Sequence, residues 1–140
     1  MNRDLRIALA LTISLSVGVS LTGQPRQLEI RGVIPAGTVP ELIKDGFHGL
    51  EGPMPTPDGG LYFSDVNENR TYKLDRAGKI AIWREDTNRT NGLYLLKDGR
   101  LLCAEGNGPR ILSIAPDGEA TALATGWKGK ALRQPNDLIF

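Results

Sequence analysis

Glu51, Asn91 and Asn136 are the residues of this sequence whose types and spacing could do chemistry together. Asn91 follows Glu51 by 40 positions, and Asn136 follows Asn91 by 45. One carboxylate and two carboxamides offer the oxygen donors that a hard divalent cation such as calcium takes in sets of about six to eight. Two readings of the trio are open. Asn and Gly at such points could serve only as turn formers. Alternatively the three side chains converge on one cation, and then another acid is expected from sequence beyond residue 140, because one carboxylate leaves charge unbalanced.

Convergence of residues so far apart needs a repeated element to carry each of them, and the sequence has one. At an offset of 40, Gly52 meets Gly92, Asp58-Gly59 meets Asp98-Gly99, Leu61 meets Leu101 and Asn67 meets Asn107. Arg70 meets Arg110, Leu74 meets Ile114 and Gly78 meets Gly118. A third unit opens at Pro135-Asn136-Asp137-Leu138. Within the units, Leu61–Ser64, Thr71–Leu74 and Ile80–Trp83 read as strands, as do 93–96, 101–104, 111–114 and 120–124. Asp58-Gly59-Gly60, Ala77-Gly78, 97–100 and 116–118 read as turns. Four short strands per ~40 residues is the unit of a β-propeller blade. A β-sandwich has similar turns but no reason for a fixed period, so the fold expected is all-β, a β-propeller. Glu51, Asn91 and Asn136 then lead into successive innermost strands, which line a propeller's central channel. Residues 24–140 hold only two to three blades, fewer than the ~4 of the smallest propellers. The expectation is therefore the N-terminal part of a larger domain, with Leu138–Phe140 entering another strand.

The bulk composition fits a globular domain. Gly and Pro together make 26 of 140 residues, which suits a fold rich in turns. The net charge of +1 gives no electrostatic footprint for nucleic acid. Cys103 is the single cysteine, so no intrachain disulfide or cysteine metal cluster can form. Arg3 and Arg6 precede an uncharged run of 15 residues, Ile7–Leu21, which suits a signal peptide better than a spanning helix of about 20. Residues 1–23 are read as that signal, giving a periplasmic or extracellular protein without stable membrane association after cleavage.

The stretch Gly49-Leu50-Glu51-Gly52-Pro53, followed by Leu61-Tyr62-Phe63-Ser64-Asp65 with Asn69-Arg70, resembles the gluconolactonase family, which includes regucalcin (senescence marker protein). Asn91-Gly92-Leu93, Asp98-Gly99-Arg100-Leu101-Leu102, Arg110 and Pro135-Asn136-Asp137-Leu138 continue the resemblance in order. It runs from about Val39 to Phe140 and covers the first half of a family domain. The resemblance implies a six-bladed propeller with one divalent metal on its axis, calcium first, with zinc, magnesium or manganese as alternatives. It implies that Glu51 is a metal ligand, and that Asn136 contacts the metal or the substrate. Asn91 stands where the family places a channel-lining polar residue, which assigns it to substrate. Two stretches depart from the family's usual pattern: Asn107-Gly108-Pro109-Arg110, and Ala131-Leu132-Arg133-Gln134 before Pro135.

The function this implies is an exported, metal-dependent hydrolase that opens a lactone, with a small-molecule substrate such as a sugar lactone. No residue of the sequence stands out as the general base. The competing readings are a non-catalytic propeller that binds a ligand or metal, and a phosphotriesterase-like hydrolase, since diisopropylfluorophosphatase resembles this fold. Other eye-catching residues have plainer roles: His48 as a surface or packing residue, Cys103 as an inert buried thiol, and Asp65 and Glu105 as hydrogen-bonding groups within blades. Arg70 and Arg110 suit blade packing at least as well as substrate, and Trp83 and Trp127 suit packing between blades.

Overall fold

The structure, a computed structural model, describes residues 28–140. The expected signal peptide, residues 1–23, lies outside the described residues. Those described form twelve strands and no helix. The chain divides into two compact units between Glu41 and Leu42. The first contains an antiparallel hairpin, β1 (Leu28–Ile30) and β2 (Ile34–Thr38). Its turn is closed by the Val33 N–H donating to the Ile30 carbonyl at 2.8 Å.

The second unit holds the repeat. β3 (Leu50–Pro55), β4 (Leu61–Asp65), β5 (Arg70–Leu74) and β6 (Ile80–Arg84) form one antiparallel sheet in chain order. β7 (Thr90–Leu95), β8 (Leu101–Glu105), β9 (Arg110–Ile114) and β10 (Ala120–Ala124) form the next. The offset of 40 survives in the pairing. Leu61 faces Leu74 as Leu101 faces Ile114, and Leu50 faces Asp65 as Thr90 faces Glu105. The irregularities repeat too: the register shifts between Glu51 and Met54 in β3, and between Thr90 and Leu93 in β7. The Asp residues of the turns explain why the period is so regular. Asp58, Asp98 and Asp117 each accept, through Oδ1, the N–H two residues on, and Asp75 accepts those of Ala77 and Lys79. Such side-chain turns set the hairpin ends locally, so each unit counts the same number of residues.

The two sheets share a core. Leu93, Leu101, Cys103, Leu112 and Ile114 are buried in the second, and Met54, Tyr62 and Trp83 of the first pack against them. Each buried aliphatic side chain contributes about 1.5–3 kcal/mol through removal from water. Trp83 thus lies between sheets as expected, with its ring edge-on to Tyr62 at 5.1 Å. Phe47 packs edge-on to Phe63 and Tyr72 at 5.4 and 5.2 Å, covering the other side of the first sheet.

The structure corrects three expectations. Trp127 is not between blades: it is 75% exposed on a small hairpin, β11 (Gly126–Trp127) with β12 (Lys130–Ala131). That hairpin falls in the stretch where the repeat spacing lengthens from 40 to 45, so Trp127 belongs to an insertion rather than to a blade. Leu138–Phe140 forms no strand, and Ile139 and Phe140 are 92% and 82% exposed; an extended segment becomes a strand only against a paired neighbour. Finally, Glu51 and Asn91 do not precede their strands but lie inside β3 and β7, and the Gly52-Pro53 break of β3 sits in its bulge.

Candidate functional site

The bulges place the candidate residues. A β-bulge inserts an unpaired residue, bends its strand and re-aims the neighbouring side chains. Glu51 opens one bulge and Asn91 lies in the other, each on the first strand of its sheet. At the first, Gly52 has φ 54, a conformation that side chains with a Cβ rarely adopt.

The three repeat boundaries touch in sequence. A Cβ on Gly52 would collide with the Asn91 carbonyl, and one on Gly92 would stand 2.5 Å from Asp137 Oδ1 and 2.9 Å from the Asn136 carbonyl. The contacts are also hydrogen-bonded. Ser64, which faces Glu51 in the ladder, donates its hydroxyl to the Asn91 carbonyl at 3.0 Å. The Gly92 N–H donates to the Asn136 carbonyl at 2.7 Å. Glycine after each of the first two donors therefore lets successive boundaries close up on one another.

A cleft of about 210 Å³ opens beside these contacts. Asn91 and Asn136 both line it, and Glu51 does not. Val66, Gly106 and Asn107 reach it from the β4–β5 and β8–β9 turns, Arg89 from the residues before β7, and Gln134 and Pro135 from those before Asn136. Arg89 and Gln134 occupy matching places, two residues before Asn91 and Asn136, and both hold left-handed backbone, φ 56 and 41. Three of these polar liners, Arg89, Asn107 and Gln134, are outside the set read from the sequence. The spacing of Arg89 and Gln134 from the two asparagines was the available signal.

Among the described residues no group of three or more His, Cys, Asp or Glu that could hold a metal gathers. What the boundaries offer is oxygen: the exposed Glu51 carboxylate, the half-buried Asn91 and the exposed Asn136.

The remaining candidates hold the scaffold. Glu105 is fully buried and accepts from Arg110 Nε at 2.6 Å, Arg84 Nη2 at 3.3 Å and Asn88 Nδ2 at 3.4 Å. Arg84 comes from the first sheet, so this carboxylate ties the sheets together. Its repeat equivalent, Asp65, is equally buried but instead accepts the His48 and Glu68 N–H groups at 2.9 and 3.3 Å. Arg70 accordingly pairs outward, with Glu85 at 3.2 Å and Glu68 at 3.7 Å. His48 is exposed and its Nδ1 lies 2.8 Å from Glu68. Cys103 is buried, and burial pushes its thiol up from 9.0 to about 12, so it is inert at ordinary pH.

No protein-family model matches the sequence. No curated protein matches it either. Solved structures do. One assigned to gluconolactonase from its protein family aligns with a TM-score of 0.63 and 33% identity, over 68% of this chain and 33% of its own. A gluconolactonase from Xanthomonas campestris, described as important in glucose secondary metabolic pathways, gives 0.64 and 28%, over 68% and 32%. A catalytically inactive virginiamycin B lyase from Staphylococcus aureus, solved with quinupristin, gives 0.53 and 21% over 72% and 34%, a likeness of fold alone. The chain spans about a third of the length of these structures. With its repeated four-stranded sheets and the boundary contacts between them, it carries part of a gluconolactonase-like β-propeller domain.

Proposed function

We propose that the protein is a metal-dependent lactone hydrolase that acts outside the cytoplasm, on a small lactone such as a sugar lactone. The observation that carries the reading is the closing-up of the three boundaries, Gly52 on Asn91 and Gly92 on Asn136, beside a polar cleft. Fold likeness to gluconolactonases at 28–33% identity supports the same chemistry. Export rests on the apolar run Ile7–Leu21 behind two arginines.

Glu51 and Asn136 would hold the cation, calcium by preference for an all-oxygen set. When bound, such an ion supplies Lewis-acid polarisation of an acyl oxygen. Asn91 presents a carboxamide in the cleft, able to donate to one substrate hydroxyl and accept from another. Its backbone is fixed by the Ser64 hydroxyl, so its side chain starts from a set position.

The test is hydrolysis of glucono-1,5-lactone by the full-length chain, followed by base uptake at constant pH, with calorimetry of calcium binding. Chelation should abolish activity and added calcium restore it. Glu51→Gln keeps the shape and removes the charge; calcium affinity should fall at least about tenfold, or about 1.4 kcal/mol. Asn91→Ala should mainly raise KM. Unchanged calcium binding in Glu51→Gln would refute the ligand assignment, and activity indifferent to chelation would remove the metal-dependent mechanism.

A further inference from the structure

We infer that the cleft shared by Asn91 and Asn136 is an anion subsite in which Arg89 holds the carboxylate of a polyhydroxy acid. This rests on the lactone reading. Water added across the acyl C–O bond leaves a hydroxyl and a carboxylate on one carbon chain, with the proton released to solvent, so the product class carries both groups.

Three observations converge on Arg89. No carboxylate lines the cleft; the polar side chains around Arg89 are the carboxamides of Asn91, Asn107, Gln134 and Asn136. Arg70, Arg84, Arg100 and Arg110 each pair with a carboxylate; among the described residues Arg31, Arg76, Arg89 and Arg133 make no salt bridge, and of these four Arg89 alone lines the cleft, its side chain donating to the Asn67 amide oxygen at 3.3 Å. A neutral amide satisfies one donor and leaves the charge and most of the guanidinium fork open. Its backbone is also held from both sides: the Arg89 N–H donates to Asn69 Oδ1 at 2.7 Å, and its carbonyl accepts from the Gly106 N–H at 3.2 Å. Those bonds fix it at φ 56, an unfavourable conformation of the kind that persists at ligand sites when the surroundings enforce it. A planar guanidinium matches a carboxylate with two parallel hydrogen bonds. Carboxamides, which both donate and accept, match hydroxyls.

The experiment compares sodium gluconate with sorbitol, which replaces the carboxylate by a hydroxymethyl group, in calorimetric titrations of the full-length chain. Wild type should bind gluconate at least about tenfold more tightly, the weight of a charge-assisted hydrogen bond. Arg89→Asn should erase that preference and leave sorbitol unchanged, since asparagine tolerates the left-handed backbone. Arg89→Lys should restore part of it. Equal binding of both ligands by wild type, binding of neither, or a preference that survives in Arg89→Asn overturns the subsite. Should Arg89→Asn lose both ligands, Arg89→Lys decides: a preference kept supports the subsite and a preference lost overturns it. Lactone hydrolysis assayed alongside separates the two readings. A gluconate preference that depends on Arg89, without hydrolysis, keeps the subsite and removes the hydrolase. Hydrolysis with a preference indifferent to Arg89 does the reverse.

Discussion

Gly52→Ala should be among the most damaging single-methyl changes in the chain, and its cost can be divided into two parts. The first part is conformational. Gly52 has φ 54, and a Cβ in left-handed backbone costs about 1–2 kcal/mol. The second is collision. The new methyl would meet the Asn91 carbonyl, and the Gly92 Cα and Leu93 N would each stand 3.0 Å away. All three are backbone atoms of the neighbouring sheet and cannot turn aside, so overpacking adds about 1–3 kcal/mol. Gly78→Ala is the control: its φ is 85, and a Cβ there has nothing within 4 Å. Urea unfolding of the full-length protein should therefore lower the midpoint modestly for Gly78→Ala and by about twice as much or more for Gly52→Ala, with m unchanged. The same collision pushes on Asn91, so Gly52→Ala should also raise KM for the lactone while Gly78→Ala leaves it alone. Equal midpoints for the two variants would show that the boundary contact is not tight, and the site reading built on it would fall.

Two other expectations are direct. Glu105→Gln should cost about 1–3 kcal/mol in the same unfolding assay, less than a wholly buried pair would, because Arg84 and Arg110 are 23% and 37% exposed and can rehydrate; an unchanged midpoint would mean the carboxylate does not tie the sheets together. Cys103 should resist thiol reagents until the protein unfolds, and because its thiol rises from 9.0 to about 12 on burial, the unfolded chain alone loses this proton in that window. Stability should then fall as pH climbs above 9.0, and Cys103→Ala should flatten that fall.

The scaffold was legible because its period is set locally. Asp-Gly turns whose side chains bond their own backbone leave a mark that strand propensity then fills in, and the offset of 40 carried through to the bulges. Glu51 and Asn91 stand one period of 40 apart and both fall at the repeated bulges. The start of β3 was hidden because Gly52-Pro53 reads as a strand breaker, and only a neighbouring sheet makes a bulge of it. Trp127 was misplaced because an aromatic residue near a repeat boundary reads as packing, while the five extra residues around it hold a hairpin. Arg89 and Gln134 were missed because nothing in an arginine or a glutamine announces left-handed backbone; Asn69, Gly106 and the turn geometry impose it at Arg89.

Those misses share a physical basis that bears on how a repeat builds a site. Hydrogen-bond register and core volume constrain the strands, so Leu61 and Leu101, or Leu74 and Ile114, remain interchangeable from unit to unit. The residues two places before each donor answer to neither constraint, and there the chain has Gly49, Arg89 and Gln134 in turn. Gly49 lies against the Asn67 side chain, where a Cβ would collide, whereas Arg89 and Gln134 line the cleft. The left-handed backbone shared by Arg89 and Gln134 thus delivers two different side chains to corresponding points of the cleft. A binding site made this way gains asymmetry without disturbing the fold, and substrate preference should follow the residues before the donors more closely than the donors themselves.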